Sequence, residues 1–156
     1  MADSEKPVDV RETEGPFLQA ALFCEKALQE KDGVVSAIRI VDRVISSAIG
    51  ADPPTSMPPL QWSITLFVSL KSGFARGSYS VRVTGTMPSG RAMPSASLPV
   101  LLEGDDRGVN IIANMTIQFQ EEGLYWFDVY FEGRLLTRMP LRVVYQRMAL
   151  GGQTQE

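Results

Sequence analysis

The chain has 156 residues, 44% of them hydrophobic and 21% charged, with a formal net charge of −3. That is the length and composition of one globular domain, long enough to bury a core without metals or disulfides. The negative balance excludes bulk electrostatic attraction to nucleic acid or an anionic membrane, and the absence of histidine excludes any Ser-His-Asp or Cys-His catalytic set within the chain.

Residues 1–15 (MADSEKPVDVRETEG) are polar and charged and read as a flexible N-terminal arm. They lack the basic start and apolar run of a secretory signal. No stretch reaches the roughly 18 apolar residues of a membrane span. With one cysteine, Cys24, no intrachain disulfide can form, which fits a reducing, cytoplasmic location. Phe17–Cys24 (FLQAALFC) reads as a first strand, with a short helix over Glu25–Lys31 as its rival, because those residues are good helix formers. Asp32-Gly33 is a turn signal. The β-branched run Val34–Ser46 predicts one long strand, bent or bulged. Pro53, Pro54, Pro58 and Pro59 make residues 47–60 a loop.

The clearest alternation follows: Trp62, Ile64, Leu66, Val68 and Leu70 occupy every second position, so one face of that strand is buried. KSGFARG reads as a turn, Tyr79, Val81 and Val83 as a half-buried strand, residues 87–97 as a Pro/Ser/Gly loop, Leu98–Leu102 as a short strand, and EGDDRG as a charged turn. Val109 to Phe119 alternates again, and Glu121-Glu122-Gly123 leads into the final pair, Leu124–Glu132 and Leu135–Tyr145. Residues 148–156 read as a flexible tail, so the folded domain spans 16–147. About eight strands joined by turn chemistry, with no long amphipathic helix between them, predict an all-β fold. The expected architecture is a single antiparallel β-sandwich of about seven to nine strands, immunoglobulin-like or C2-like, with a closed barrel as the alternative. Its core should include Trp62, Ile64, Leu66, Val68, Tyr79, Val81, Val83, Ile111, Ile117, Tyr125, Phe127, Val129, Leu141 and Val143.

The last hairpin can be put in register from pattern alone. A two-residue loop, Glu132-Gly133, would set Phe131 opposite Arg134 and Phe127 opposite Arg138. A three-residue loop, Glu132-Gly133-Arg134, sets Phe131, Val129, Phe127 and Tyr125 opposite Leu135, Thr137, Met139 and Leu141, which keeps the apolar residues on one face. The longer loop is therefore expected. On the other face Asp128 then meets Arg138, Tyr130 meets Leu136 and Trp126 meets Pro140. Pro140 cannot donate to a ladder, so its strand should be an edge or bulged there. Leu124, Trp126, Tyr130, Leu136, Arg138 and Pro140 form the candidate partner-binding patch, since tyrosine, tryptophan and arginine are enriched where proteins meet. The competing reading is that the N-terminal arm, the proline-rich loop or a helix at 25–31 covers this patch.

Other constellations point to less. Glu103, Asp105 and Asp106 sit in one segment as oxygen ligands could, but Arg107 interrupts them and no second acidic loop completes a cation site. Arg134, Arg138, Arg142, Arg39, Arg43 and Arg82 would form a basic patch if their faces coincide. Cys24 lies in an apolar run with no evident cause for a lowered pKa and reads as a buried structural thiol. Phosphate-loop and zinc spacings are absent. The expectation is a non-enzymatic module without metal, cofactor or catalytic residues. It binds another protein or itself rather than nucleic acid. Runner-up readings are a small-ligand or carbohydrate site with Trp126 and Tyr130 as a stacking platform, and an enzyme using carboxylates alone.

Four blocks, FLQAALFCEKALQEKDGVVSAIRIVDRV, LKSGFARGSYSVRV, VLLEGDDRGVNIIANM and EEGLYWFDVYFEGRLLTRMPLRVVYQ, together resemble a family of short, functionally uncharacterised bacterial proteins, over roughly residues 17–147. The resemblance implies a small cytoplasmic β-rich domain of bacterial or phage origin and brings no activity or site residue. The entry Gly123-Leu124-Tyr125 into the last hairpin also resembles that of immunoglobulin-like sandwiches, an analogy of fold and not of function.

Overall fold

A computed structural model describes residues 15–151. Most of the expected arm and the last residues of the expected tail lie outside the described residues. The chain forms seven strands: β1 Phe17–Gln29, β2 Val35–Ile40, β3 Arg43–Gly50, β4 Leu60–Thr86, β5 Ala96–Phe119, β6 Gly123–Phe131 and β7 Arg134–Ala149. Helix-forming side chains at Glu25–Gln29 do not make a helix. They extend β1, because antiparallel pairing from Cys24↔Ile40 to Gln29↔Val35 satisfies their backbone and tertiary pairing outweighs propensity differences of tenths of a kcal/mol.

The 27-residue β4 and the 24-residue β5 organise the molecule. They form one long hairpin, paired from Leu60↔Phe119 to Val83↔Ala96, with register shifts between Lys71, Gly73 and Arg76. The two segments expected to be turns, KSGFARG and EGDDRG, therefore face each other in mid-hairpin. Gly73, Gly104 and Asp105 take positive φ there (59°, 86° and 54°), and the irregularity bends both strands at once. On one side of this corner β4 pairs with β1 (Phe17↔Lys71 to Cys24↔Thr65). On the other it pairs with β6 (Val81↔Phe131 to Thr86↔Trp126). The result is two sheets sharing one bent hairpin. The first runs β2-β1-β4-β5, and the second runs β5-β4-β6-β7-β3.

The expected single strand over 34–46 is divided at Val41-Asp42. Its first part, β2, is the edge beside β1, and its second part, β3, crosses to the far edge of the other sheet beside β7. This last pairing is parallel, from Arg43↔Arg142 to Gly50↔Ala149. The sandwich is thus not wholly antiparallel, and β7 continues past Arg147 to Ala149. Pro140 lies just ahead of the β3 ladder, where its missing N–H costs nothing.

The sheets bury one continuous core. Ile64, Leu66, Val68, Val81, Val83, Ile111, Ile117, Tyr125, Phe127, Val129, Leu141 and Val143 are buried in it as the alternation requires. Trp62 and Tyr79 pack against its margin. Phe23 of β1 meets Phe127 of β6 edge to face across the sandwich, with ring centroids 5.0 Å apart. Tyr125, fully buried, donates its hydroxyl to the Glu121 carbonyl at 2.7 Å and accepts from the Glu121 amide at 3.2 Å. This clasp ties the strand to the residues before it, as the tyrosine corner of immunoglobulin-like domains does.

Candidate functional site

In the β6–β7 hairpin the expected register holds from Gly123↔Val143 to Val129↔Thr137, so Asp128 faces Arg138 and Trp126 faces Pro140. Nearer the turn it does not. The pairs there are Tyr130↔Leu135 and Phe131↔Arg134, with a register shift after Val129. The loop is the two-residue Glu132-Gly133, with φ of 45° and 79°. A one-residue bulge at Leu136 then restores the apolar agreement further along. Leu136, expected opposite Tyr130, is half-buried and packs against the core margin. Leu135 takes its place and stands 46% exposed.

The outer face of the second sheet can now be built row by row. Leu124, Trp126, Asp128 and Tyr130 of β6 are half-buried, while Arg138 and Pro140 of β7 are exposed. Arg138 Nε donates to Asp128 Oδ1 at 2.8 Å, and its guanidinium carbon lies 5.0 Å from the Trp126 ring centre. One side chain thus satisfies the carboxylate and covers one face of the indole. Arg82 of β4 is registered with Tyr130, Arg142 with Leu124, and Arg43 of β3 with Arg142. Four of the six arginines considered from sequence therefore share this face. The other two do not: Arg39 pairs with Glu25 at 2.8 Å beside the first sheet, and Arg134 donates to the Pro16 carbonyl at 3.2 Å. Ile45, Ile49 and Met148 extend the face with exposed apolar side chains, which the sequence reading did not single out.

Two of the three segments that could cover this face lie elsewhere. The proline-rich loop is latched to the end of β7, where Tyr145 donates to the Pro54 carbonyl at 2.8 Å and Arg147 to the Pro53 carbonyl at 2.8 Å. Residues 25–29 belong to β1 and pair with β2 on the other sheet.

The acidic segment EGDDRG is spent on structure. Asp105 accepts from Arg76 at 2.8 Å and Glu103 lies 3.6 Å from Arg107. Among the described residues no three Asp, Glu or Cys side chains cluster as a metal site. Cys24 is fully buried, and burial pushes its thiol pKa up.

A cavity of ≈ 660 Å³ lies elsewhere. It opens between the two sheets on the side bounded by β5, and its lining includes Met87, Met93, Met115, Ile117, Val83 and Phe127. None of its lining residues is charged. The sequence reading missed it because Met87 and Met93 sit in a segment recognisable only as a loop. Their thioethers are the adaptable kind of apolar lining.

A family model described as a family of unknown function, DUF6941, matches residues 19–144. The chain belongs to this family. No curated protein matches it. Among solved structures, an immunoglobulin-like protein from Pseudomonas aeruginosa is similar at 14% identity and a TM-score of 0.42, over 83% of this chain and 97% of that one. The CARDB domain of a Pyrococcus furiosus protein, solved in complex with di-metal ions, is similar at 11% identity and a TM-score of 0.40, over 85% and 99%. Among the described residues no helix is long and apolar enough to cross a membrane.

Proposed function

We propose that this family member is a non-enzymatic, cytoplasmic protein-interaction module. Its docking surface is the outer face of β6 and β7: Leu124, Trp126, Tyr130, Arg138 and Pro140, with Leu135 in the place expected for Leu136, widened by Arg43 and Arg142. One observation carries the reading. On a chain of net charge −3, this face gathers Arg43, Arg82, Arg138 and Arg142 in adjacent registers around Trp126, with Asp128 the carboxylate among them. Arg43 and Arg142, side by side, form no ion pair with any described residue. Such a face fits a protein that presents carboxylates beside an apolar anchor. Aromatic and arginine side chains supply contact energy, and charge complementarity steers the encounter.

The test is affinity capture from the native host, comparing wild type with Trp126→Asp/Tyr130→Asp and with Arg43→Glu/Arg142→Glu, all checked for folding by circular dichroism. A protein bound by wild type and lost by both folded variants supports the surface. Identical capture by all three rejects it. A carbohydrate platform at Trp126 is the weaker reading, because Arg138 already lies over the indole and a sugar on that face would have to displace it.

A further inference from the structure

Among the described residues β5 pairs with β4 alone, so it is the outer strand of both sheets. Edge strands expose unpaired N–H and C=O groups, and soluble proteins guard them with charge, proline or bulges. Elsewhere the edges are guarded or short: β2 carries Arg39, the first half of β5 has Pro99 and the run Glu103 to Arg107, and β3 is only eight residues long, with its one charge at Arg43. The second half of β5, residues 108–119 (GVNIIANMTIQF), has neither a charge nor a proline. Its Met115 and Ile117 form one lip of the uncharged methionine cleft. An unguarded edge and an uncharged, open cleft therefore meet along the same strand.

We infer that residues 108–119 pair antiparallel with the same segment of a second copy of this chain, in a two-fold dimer whose β5 strands close the clefts. The occupant follows from chemistry. It must bring an extended backbone and alternating apolar side chains, with no charge to bury opposite an uncharged lip. Residues 1–14 are densely charged and residues 152–156 (GQTQE) are polar, so neither terminus fits. The edge segment itself fits. A two-fold axis perpendicular to the sheet keeps facing residues on one side only if it passes between a residue and its own copy; Ala113 and Asn114 give equal overlaps within the segment, and Asn114 is the choice that brings opposite charges toward each other beyond it. Ile111 then meets the partner's Ile117, Ala113 meets the partner's Met115, and Asn110 meets the partner's Gln118. Beyond the uncharged segment, Arg107 lies toward the partner's Glu121, which follows the end of β5, so opposite charges flank each end. Such an interface is isologous and self-limiting, which lets an unguarded edge persist without open-ended assembly.

Sedimentation velocity over a wide concentration range tests this. Wild type is expected to move from monomer to twice the monomer mass and no further. Thr116→Lys, at an exposed position, is expected to remain monomeric with an unchanged melting temperature. Asn114→Cys gives an independent readout. Directly opposed Cα atoms about 4.5–5.5 Å apart lie within disulfide reach, so mild oxidation should crosslink it, while Ser36→Cys on the β2 edge should stay uncrosslinked. A wild type that is monomeric throughout, a dimer indifferent to Thr116→Lys, or crosslinking through Ser36→Cys and not Asn114→Cys would each overturn the inference. None of these outcomes depends on the arginine–tryptophan face.

Discussion

Phe127→Ala probes the packing of the two sheets. Phe127 is 5% exposed, and its ring meets Phe23 edge to face. Truncating a buried phenylalanine typically costs about 3–5 kcal/mol, from lost transfer energy and the hole left behind. Two local features set where in that range this site falls. Phe127 also lines the methionine cleft, so Met93 or water can enter the vacated space, which favours the lower end. The aromatic pair adds roughly 0.5–1.5 kcal/mol beyond area burial. A net loss of about 3 kcal/mol should lower Tm by about 6–12 °C at this chain length, since 1 kcal/mol is worth roughly 2–4 °C in domains of 150–250 residues. The assay is reversible thermal unfolding followed by circular dichroism, on Phe127→Ala, Phe23→Ala and the double variant. The double variant should be less destabilised than the sum of the singles, by about the aromatic pair term. Unchanged melting of Phe127→Ala, or strict additivity, would refute the face-to-face packing of β1 and β6.

Two further outcomes follow from buried groups. Tyr125→Phe keeps the packing but removes the hydroxyl bonded to Glu121. It should lose about 1–3 kcal/mol, the cost of a broken buried hydrogen bond and a stranded carbonyl, whereas Tyr130→Phe on the half-buried outer face should stay within about 0.5 kcal/mol; urea melts of the two distinguish them. Cys24, fully buried and with its thiol pKa raised by that burial, should resist a colorimetric thiol reagent in the native state and react stoichiometrically once unfolded; prompt native labelling would contradict its placement.

Much of this architecture is legible in the alternation of single strands, because a half-buried strand must repeat every two residues. Ile64 to Val68 and Tyr125 to Val129 follow that rule and are buried. Misreadings arise where one chemistry serves two geometries. Glycine and charged residues suit a reversal and a bent corner alike, so KSGFARG and EGDDRG pass for turns. Their equal distance from Ser89-Gly90, about which the hairpin folds, is the signal that they oppose each other. The break at Val41-Asp42 carries no proline or glycine, since it marks a change of neighbour and not a change of backbone preference. Within the candidate surface, agreement of faces fixes Asp128 against Arg138, but it averages over the hairpin and passes over the bulge that exchanges Leu135 for Leu136. The adjacency of Arg43 and Arg142 depends on a parallel pairing across most of the chain, which no local pattern encodes.

That pairing also sets a timetable for synthesis. Arg43 leaves the ribosome long before Arg142, the first residue of β7 to pair with β3. At about 5–20 residues per second, β3 waits several seconds to tens of seconds with Ile45 and Ile49 beside an open backbone. The long β4–β5 hairpin can close during that interval, because its halves are joined through their own loop. The strand made last therefore secures one of those made first, and a nascent chain stalled before β7 would hold a formed hairpin next to a sticky, unclaimed β3.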